Sequence, residues 1–171
     1  MKTLIKKYGI LLFAIGCMST SLYAQSKIAY VDSESIIISM PQYKSSRVIL
    51  EGYGVQLRKV LADKKATFDK YYADNMEQAK LGRLTPAQQQ EVETNLAKMQ
   101  SDLNKDAQKS DDDYVKKDQE LMQPIYDLFN KALDQVSTAN AYTYILDKKS
   151  ILHYKNGINA SAKVRTVLGL K

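Results

Sequence analysis

A polar run with helical periodicity extends from about Gln42 to Gln123, and one stretch inside it, KLGRLTPAQQQ at residues 80–90, brings Gly82 and Pro86 together. No other feature constrains the chain as much. Gly82 suits the left-handed end of one helix, Thr85 the cap of the next, and Pro86 a first turn that needs no N–H donor. Stop and start signals in that order predict an antiparallel helical hairpin over 42–123 with its tip at 81–86. Folding near Arg83 sets Pro124 opposite Gln42, so Pro41 and Pro124 both fall at the base of the hairpin. Roughly 40 residues per helix, at a rise of about 1.5 Å each, give an arm of about 60 Å.

The first helix carries a heptad seam. Leu50, Leu57, Lys64, Tyr71 and Gln78 are spaced by seven, with Gly54, Leu61, Phe68 and Asn75 offset by four, which is the pattern of a coiled coil. Its apolar members lie toward the start, so packing is expected to loosen toward Gly82. Gly52 and Gly54 each cost about 1 kcal/mol against Ala inside a helix, which makes them a hinge candidate. The second helix shows Val92, Leu96, Met99 and Leu103, then shifts phase and continues through Ala107, Tyr114, Leu121, Ile125, Leu128 and Ala132.

Both ends of the chain read as short strands. KIAYVDSES places Ile28, Tyr30 and Val31 in a strand that stops at Asp32, a helix N-cap, and SIIISM makes a brief helix before Pro41. Near the other end, residues 142–146 and 151–154 are predicted as strands joined by a DKKS turn, as in a hairpin. Asn156-Gly157 ends the second of these, Ser161 is a cap, and Val164, Val167 and Leu168 form the stripe of a closing helix.

The predicted fold class is therefore α+β: a small β base from residues 25–41 and 124–171, and one helical-hairpin arm per chain. Three short strands leave open edges and too little core. An obligate oligomer with a barrel or sheet shared between subunits would cover both, built on Ile28, Tyr30, Val31, Tyr144, Leu146, Ile151 and Tyr154.

The segment MKTLIKKYGILLFAIGCMSTSLYA has a basic start, an apolar centre and small residues before Ala24. It reads as a cleaved secretory signal peptide over 1–24, and lipoprotein processing at Cys17 is the competing reading. Cleavage removes the chain's single cysteine, so no disulfide is expected. It also removes Lys2, Lys6 and Lys7, leaving 22 basic against 19 acidic residues, a net +3.

No catalytic, cofactor-binding or metal-binding set can be assembled from this inventory. Asp111, Asp112 and Asp113 with Asp118 are an acidic cluster, but successive helical residues point about 100° apart and do not converge on one ion. His153 is the only histidine and has no ligand spacing. Neither GxxxxGK[ST] nor another Gly-rich phosphate loop occurs. Phe68, Tyr71 and Tyr72 beside Lys64, Lys65 and Lys70 could be drawn as a nucleic-acid stacking platform, yet Phe68 and Tyr71 are seam residues, and no nucleic-acid partner is expected.

With KIAYVD at the start, a long hairpin in the middle, and YTYILDKKSILHY followed by a short helix, the chain resembles the Skp, or OmpH-like, family of periplasmic chaperones. That resemblance implies a homotrimer whose strands form a small barrel and whose arms enclose a cavity. It implies passive, ATP-independent holding of unfolded outer-membrane proteins. Soft and aromatic side chains suit varied partners, which makes Phe68, Tyr72 and Met76 the candidate client contacts, and anionic lipid is a candidate further partner. A structural or adaptor coiled-coil protein of the envelope is the alternative. The arm departs from the basic arms of that family. Residues 58–83 hold seven Lys/Arg against four acids, 106–134 hold eight acids against four lysines, and the positive excess lies at 135–171, with six Lys/Arg against Asp147.

Overall fold

A computed structural model describes residues 26–171; the expected signal peptide and Cys17 lie outside the described residues. The elements run β1 (Ile28–Val31), α1 (Ser33–Ser39), α2 (Pro41–Lys80), α3 (Pro86–Asn140), β2 (Tyr144–Asp147), a 3-10 turn (Lys148–Ser150), β3 (Ile158–Asn159) and α4 (Ser161–Val167). The fold is α+β, mostly helical with one small sheet. Two compact units form: the described residues up to Ile36 with Lys131–Lys171, and Ile37–Asn130.

The second unit is the antiparallel hairpin, and short-range signals set its ends. Gly82 closes α2 at φ 68°; its N–H donates to Ala79 O (3.0 Å) and the Arg83 N–H to Gln78 O (3.0 Å), a Schellman motif that only glycine enters without strain. Three residues later a capping box opens α3. Thr85 Oγ1 accepts from the Gln88 N–H (3.3 Å) and Gln88 Oε1 from the Thr85 N–H (2.9 Å), while Pro86 takes the first helical position.

Contacts between the helices follow the register expected from a fold at Arg83. Ser46 Oγ reaches Leu121 O at 3.5 Å, Arg47 pairs with Asp118 at 3.7 Å, and Asn95 Nδ2 donates to Tyr71 Oη at 3.3 Å. On α2 the seam positions are the less exposed ones, from buried Leu50 and Gly54 through half-buried Leu57, Leu61, Phe68, Tyr71, Asn75 and Gln78. Lys64 is the exposed member, and it forms an ion pair with Asp106 of α3. The phase shift expected after Leu103 does not occur. The inner face of α3 continues through Asp106, Ser110 and Tyr114 while Ala107 stands exposed; polar residues at inner positions had hidden the stripe.

Pro124 does not end α3, which continues to Asn140. Pro costs a helix interior about 3 kcal/mol. Flanking residues Ile125 and Phe129, 1% and 6% exposed, supply burial of the size that offsets such a loss, since each fully buried large apolar side chain contributes about 1.5–3 kcal/mol.

The two hinge-candidate glycines differ in surroundings. A Cβ on Gly52 would meet nothing within 4 Å, whereas one on Gly54 would lie 2.9 Å from Tyr114 Cε2, so Gly54 is a packing glycine that admits the Tyr114 ring. Gly52→Ala is expected to raise stability by about 1 kcal/mol, the ordinary helix-propensity gain. Gly54→Val is expected to lower it by about 1–3 kcal/mol through overpacking. Urea unfolding of the two variants checks both signs.

In the first unit, β1 is the central strand of a sheet ordered β2-β1-β3 and is parallel to both neighbours. The predicted hairpin of 142–146 with 151–154 is corrected. Asp147 Oδ1 accepts the Lys149 N–H at 2.7 Å, which turns DKKS into the 3-10 segment, and residues 151–154 are irregular. The third strand begins after Asn156-Gly157, with Asn156 at φ 58°, a left-handed position that asparagine tolerates. Ala29, Val31, Ile36, Ala132, Val136, Tyr142, Ala160 and Val164 are the buried core of this unit.

Polar contacts tie the chain ends together. The Asp32 N–H donates to Ser161 Oγ at 3.0 Å; Ser161 is therefore the first residue of α4 and not its cap, and its own N–H is taken by Asn159 Oδ1 at 2.9 Å. As expected, Asp32 caps α1, accepting the Ser35 N–H at 3.1 Å. The Ser33 hydroxyl donates to Asp147 Oδ2, and this bond first, then the Lys149 N–H, holds the Asp147 carboxyl below its ordinary value of 3.8.

A lowered folded pKa contributes stability that is complete above the unfolded value and is lost as pH falls through the folded one. Asp147→Asn is expected to remove part of the acid-induced loss seen in thermal midpoints between about pH 5 and about pH 2.

Candidate binding surfaces

Residues paired in register across parallel strands share a face, and alternate residues of a strand point to opposite faces. β1 pairs Ile28 with Tyr144 and Tyr30 with Leu146, so these four lie on one face, opposite the buried Ala29 and Val31. On that face Ile28 is 50% exposed, Tyr144 58% and Leu146 42%. Parallel sheets are covered on both faces in nearly all proteins, and here the second face is a row of open apolar side chains.

Tyr30 is the covered member of the row. The Tyr154 ring lies 4.8 Å from it at 41°, and a Cβ on Gly157 would stand 3.1 Å from Tyr30 Cε1, so the loop approaches there because residue 157 has no side chain. Its phenol is pushed above the ordinary 10.0, first by the hydrogen bond with Tyr154 and then by burial.

The seven predicted base residues thus separate. Ile28, Tyr30, Tyr144 and Leu146 share a face, Tyr154 packs on Tyr30, Val31 belongs to the unit's own core at 3% exposure, and Ile151 is half-buried in the loop after the 3-10 turn. Sequence reasoning missed Leu152, fully open to solvent, and Ile158, 40% exposed in register with Ala29. A two-residue strand has no periodicity to reveal it.

The hairpin unit carries the other predicted residues. Phe68 is half-buried in the seam, with its ring 6.5 Å from that of Tyr72, one helical turn on. Tyr72 and Met76, 48% and 41% exposed, stand outside the seam. Two cavities open beside Phe68. One, of about 360 Å³, is lined by Lys64, Thr67, Phe68, Met99, Asp102, Leu103, Lys105 and Asp106. The other, of about 270 Å³, is lined by Leu61, Lys65, Phe68, Gln100, Leu103, Asn104 and Ala107. Met99 and Leu103 are legible in the sequence as stripe residues but not as cavity floor.

The charged groups are held by near neighbours. Lys64 pairs with Asp106, Lys65 with Asp69 (2.6 Å) and Lys70 with Asp74 (2.6 Å), so each lysine of the stacking-platform reading already faces a carboxylate. Asp113 faces Lys109 (2.6 Å) and Asp118 faces Arg47 (3.7 Å). The acidic run is thus divided among different neighbours. Among the described residues no group of three metal-ligating side chains converges, and no helix is long and apolar enough to cross a membrane.

These features define a class: α+β proteins that combine a small parallel sheet with a long helical hairpin and carry exposed apolar side chains on both. The chain belongs to the outer membrane protein (OmpH-like) family, whose profile matches residues 27–168. Among solved structures it is similar to a candidate outer membrane chaperone (OmpH-like) from Caulobacter crescentus CB15, with a TM-score of 0.69, 16% identity and 85% of each chain covered. At that identity the likeness concerns the fold. No curated protein matches the sequence.

Proposed function

We propose that this chain is an ATP-independent holdase chaperone of the periplasm that binds unfolded outer-membrane proteins and keeps them from aggregating. The observation that carries the reading is family membership across residues 27–168, supported by the fold shared with a candidate outer membrane chaperone. Export by a cleaved signal over residues 1–24 belongs to the same proposal.

Unfolded β-barrel chains expose alternating apolar strands that aggregate unless sheltered. Many weak contacts repeated on several arms would hold such a chain by avidity. Self-association into a homotrimer would place Ile28, Tyr144 and Leu146 between subunits, and Phe68, Tyr72 and Met76 would meet the client. Contact with anionic lipid would fall to the lysines of the C-terminal segment, where the positive excess lies.

The test is the light-scattering mass of the protein alone and after dilution of a urea-unfolded outer-membrane barrel into it. A three-chain mass that gains one client and stays soluble is expected. A monomer would overturn the assembly. An assembled protein that lets the client precipitate would overturn the chaperone activity and favour the adaptor alternative.

A further inference from the structure

We propose that the two grooves sharing Phe68 and Leu103 are twin client subsites, each taking an apolar side chain from an extended segment of unfolded polypeptide. The inference rests on the client-holding reading and locates where on the hairpin holding occurs. Its origin is the seam itself. Lys64 occupies a heptad position that would ordinarily be apolar, and Asp106 answers it from α3. That charged pair borders the larger groove, about 360 Å³ toward Thr67 and Met99, and the smaller groove, about 270 Å³ toward Leu61 and Gln100, shares only Phe68 and Leu103 with it. A water occupies about 30 Å³ of liquid, so either groove is roomy enough for a large side chain.

Floor and rim select the occupant. The floor is Phe68 and Leu103, extended by Met99 in the larger groove, and flexible thioether and aromatic groups accept varied apolar shapes. The rim carries both signs, with Lys64, Asp102, Lys105 and Asp106 around the larger groove. Lys64 pairs with Asp106 and Lys105 with Asp102 (3.9 Å), so the rim is balanced and does not select a client by net charge.

Groove length rules out a second helix as occupant. On α2 the lining runs from Leu61 to Phe68, about 10 Å at the helical rise of about 1.5 Å per residue. Stable protein interfaces bury about 1,200–2,000 Å², far more than a patch of that length provides. Same-face side chains of an extended segment recur about every 6.8 Å. Each groove therefore takes one apolar residue of such a segment, whose alternation is the pattern an unfolded β-strand presents.

In a Cys17→Ser background the chain has no thiol, so single cysteines report position. Thr67→Cys lines the larger groove, Gln100→Cys the smaller, and Val115→Cys, at an exposed residue that lines neither, is the reference. Each is labelled with a photoactivatable maleimide and mixed with a urea-unfolded outer-membrane barrel. Severalfold more client cross-linking at Thr67→Cys and Gln100→Cys than at Val115→Cys is expected. Phe68→Ala is expected to weaken client binding about tenfold, equivalent to about 1.4 kcal/mol. Equal labelling at all three positions, with the client kept soluble, would overturn the subsites and leave the holdase reading standing. Client precipitation with the cysteine-free parent would remove the holdase reading and the subsites with it.

Discussion

Tyr144→Asp combined with Leu146→Asp is expected to convert an assembled protein into single chains that keep their fold. Both side chains lie on the open face of the sheet, 58% and 42% exposed, and neither belongs to the buried core of its own unit. If this face joins subunits as proposed above, the cost of the change falls on association. Burying an unpaired carboxylate costs several kcal/mol even after relaxation, and each chain would carry two. Each 1.4 kcal/mol is a factor of ten, so the association constant is expected to fall by more than about a thousandfold. Light scattering gives the mass and circular dichroism the retained helix. A variant with the parent's mass would show that this face is not the interface.

Val164→Asp is expected to destabilise the unit that holds the sheet, because Val164 is 0% exposed and Ala160, one turn earlier in the chain, is equally closed. Among the described residues, the core of that unit includes no buried polar or charged group that could answer a carboxylate. The charged form would be strongly disfavoured and the neutral form would still lack a hydrogen-bond partner, a loss of at least about 3 kcal/mol. At about 2–4 °C per kcal/mol, the thermal midpoint is expected to drop by roughly 10 °C. Ala162→Asp, at an exposed position on the same helix, is expected to stay within about 0.5 kcal/mol of the parent. Equal losses in both variants would mean that helix formation, and not core burial, controls the site.

The hairpin was legible because its determinants are local. Gly82, Thr85, Pro86 and Gln88 act within a few residues of one another, and the heptads of α2 state their own buried face. Even its register followed from the fold point, as Arg47 with Asp118 and Tyr71 with Asn95 show. The misreading in the hairpin arose where polar residues occupy inner positions. The second helix was read through Pro124 to Ala132, as it stands, but the stripe was lost where Asp106 and Ser110 sit at positions at which apolar residues were sought.

At the sheet, local reading had least to work with. KIAYV and YTYIL declare themselves as strands by composition, but β3 has two residues, too few for any periodicity. Whether β2 leads into a hairpin or into a crossover is decided by contacts far apart in sequence: Ser33 with Asp147, Asp32 with Ser161, and Tyr30 with Tyr154. The sequence by itself determined two helices, their turn and their pairing, since capping and heptad packing depend on neighbours and on one symmetric fold. Only the tertiary structure decided the parallel order β2-β1-β3, the open face of Ile28, Tyr144 and Leu146, and the grooves beside Phe68. Those features come from pairings across more than a hundred residues and from space left between side chains, and neither quantity is written in any local pattern.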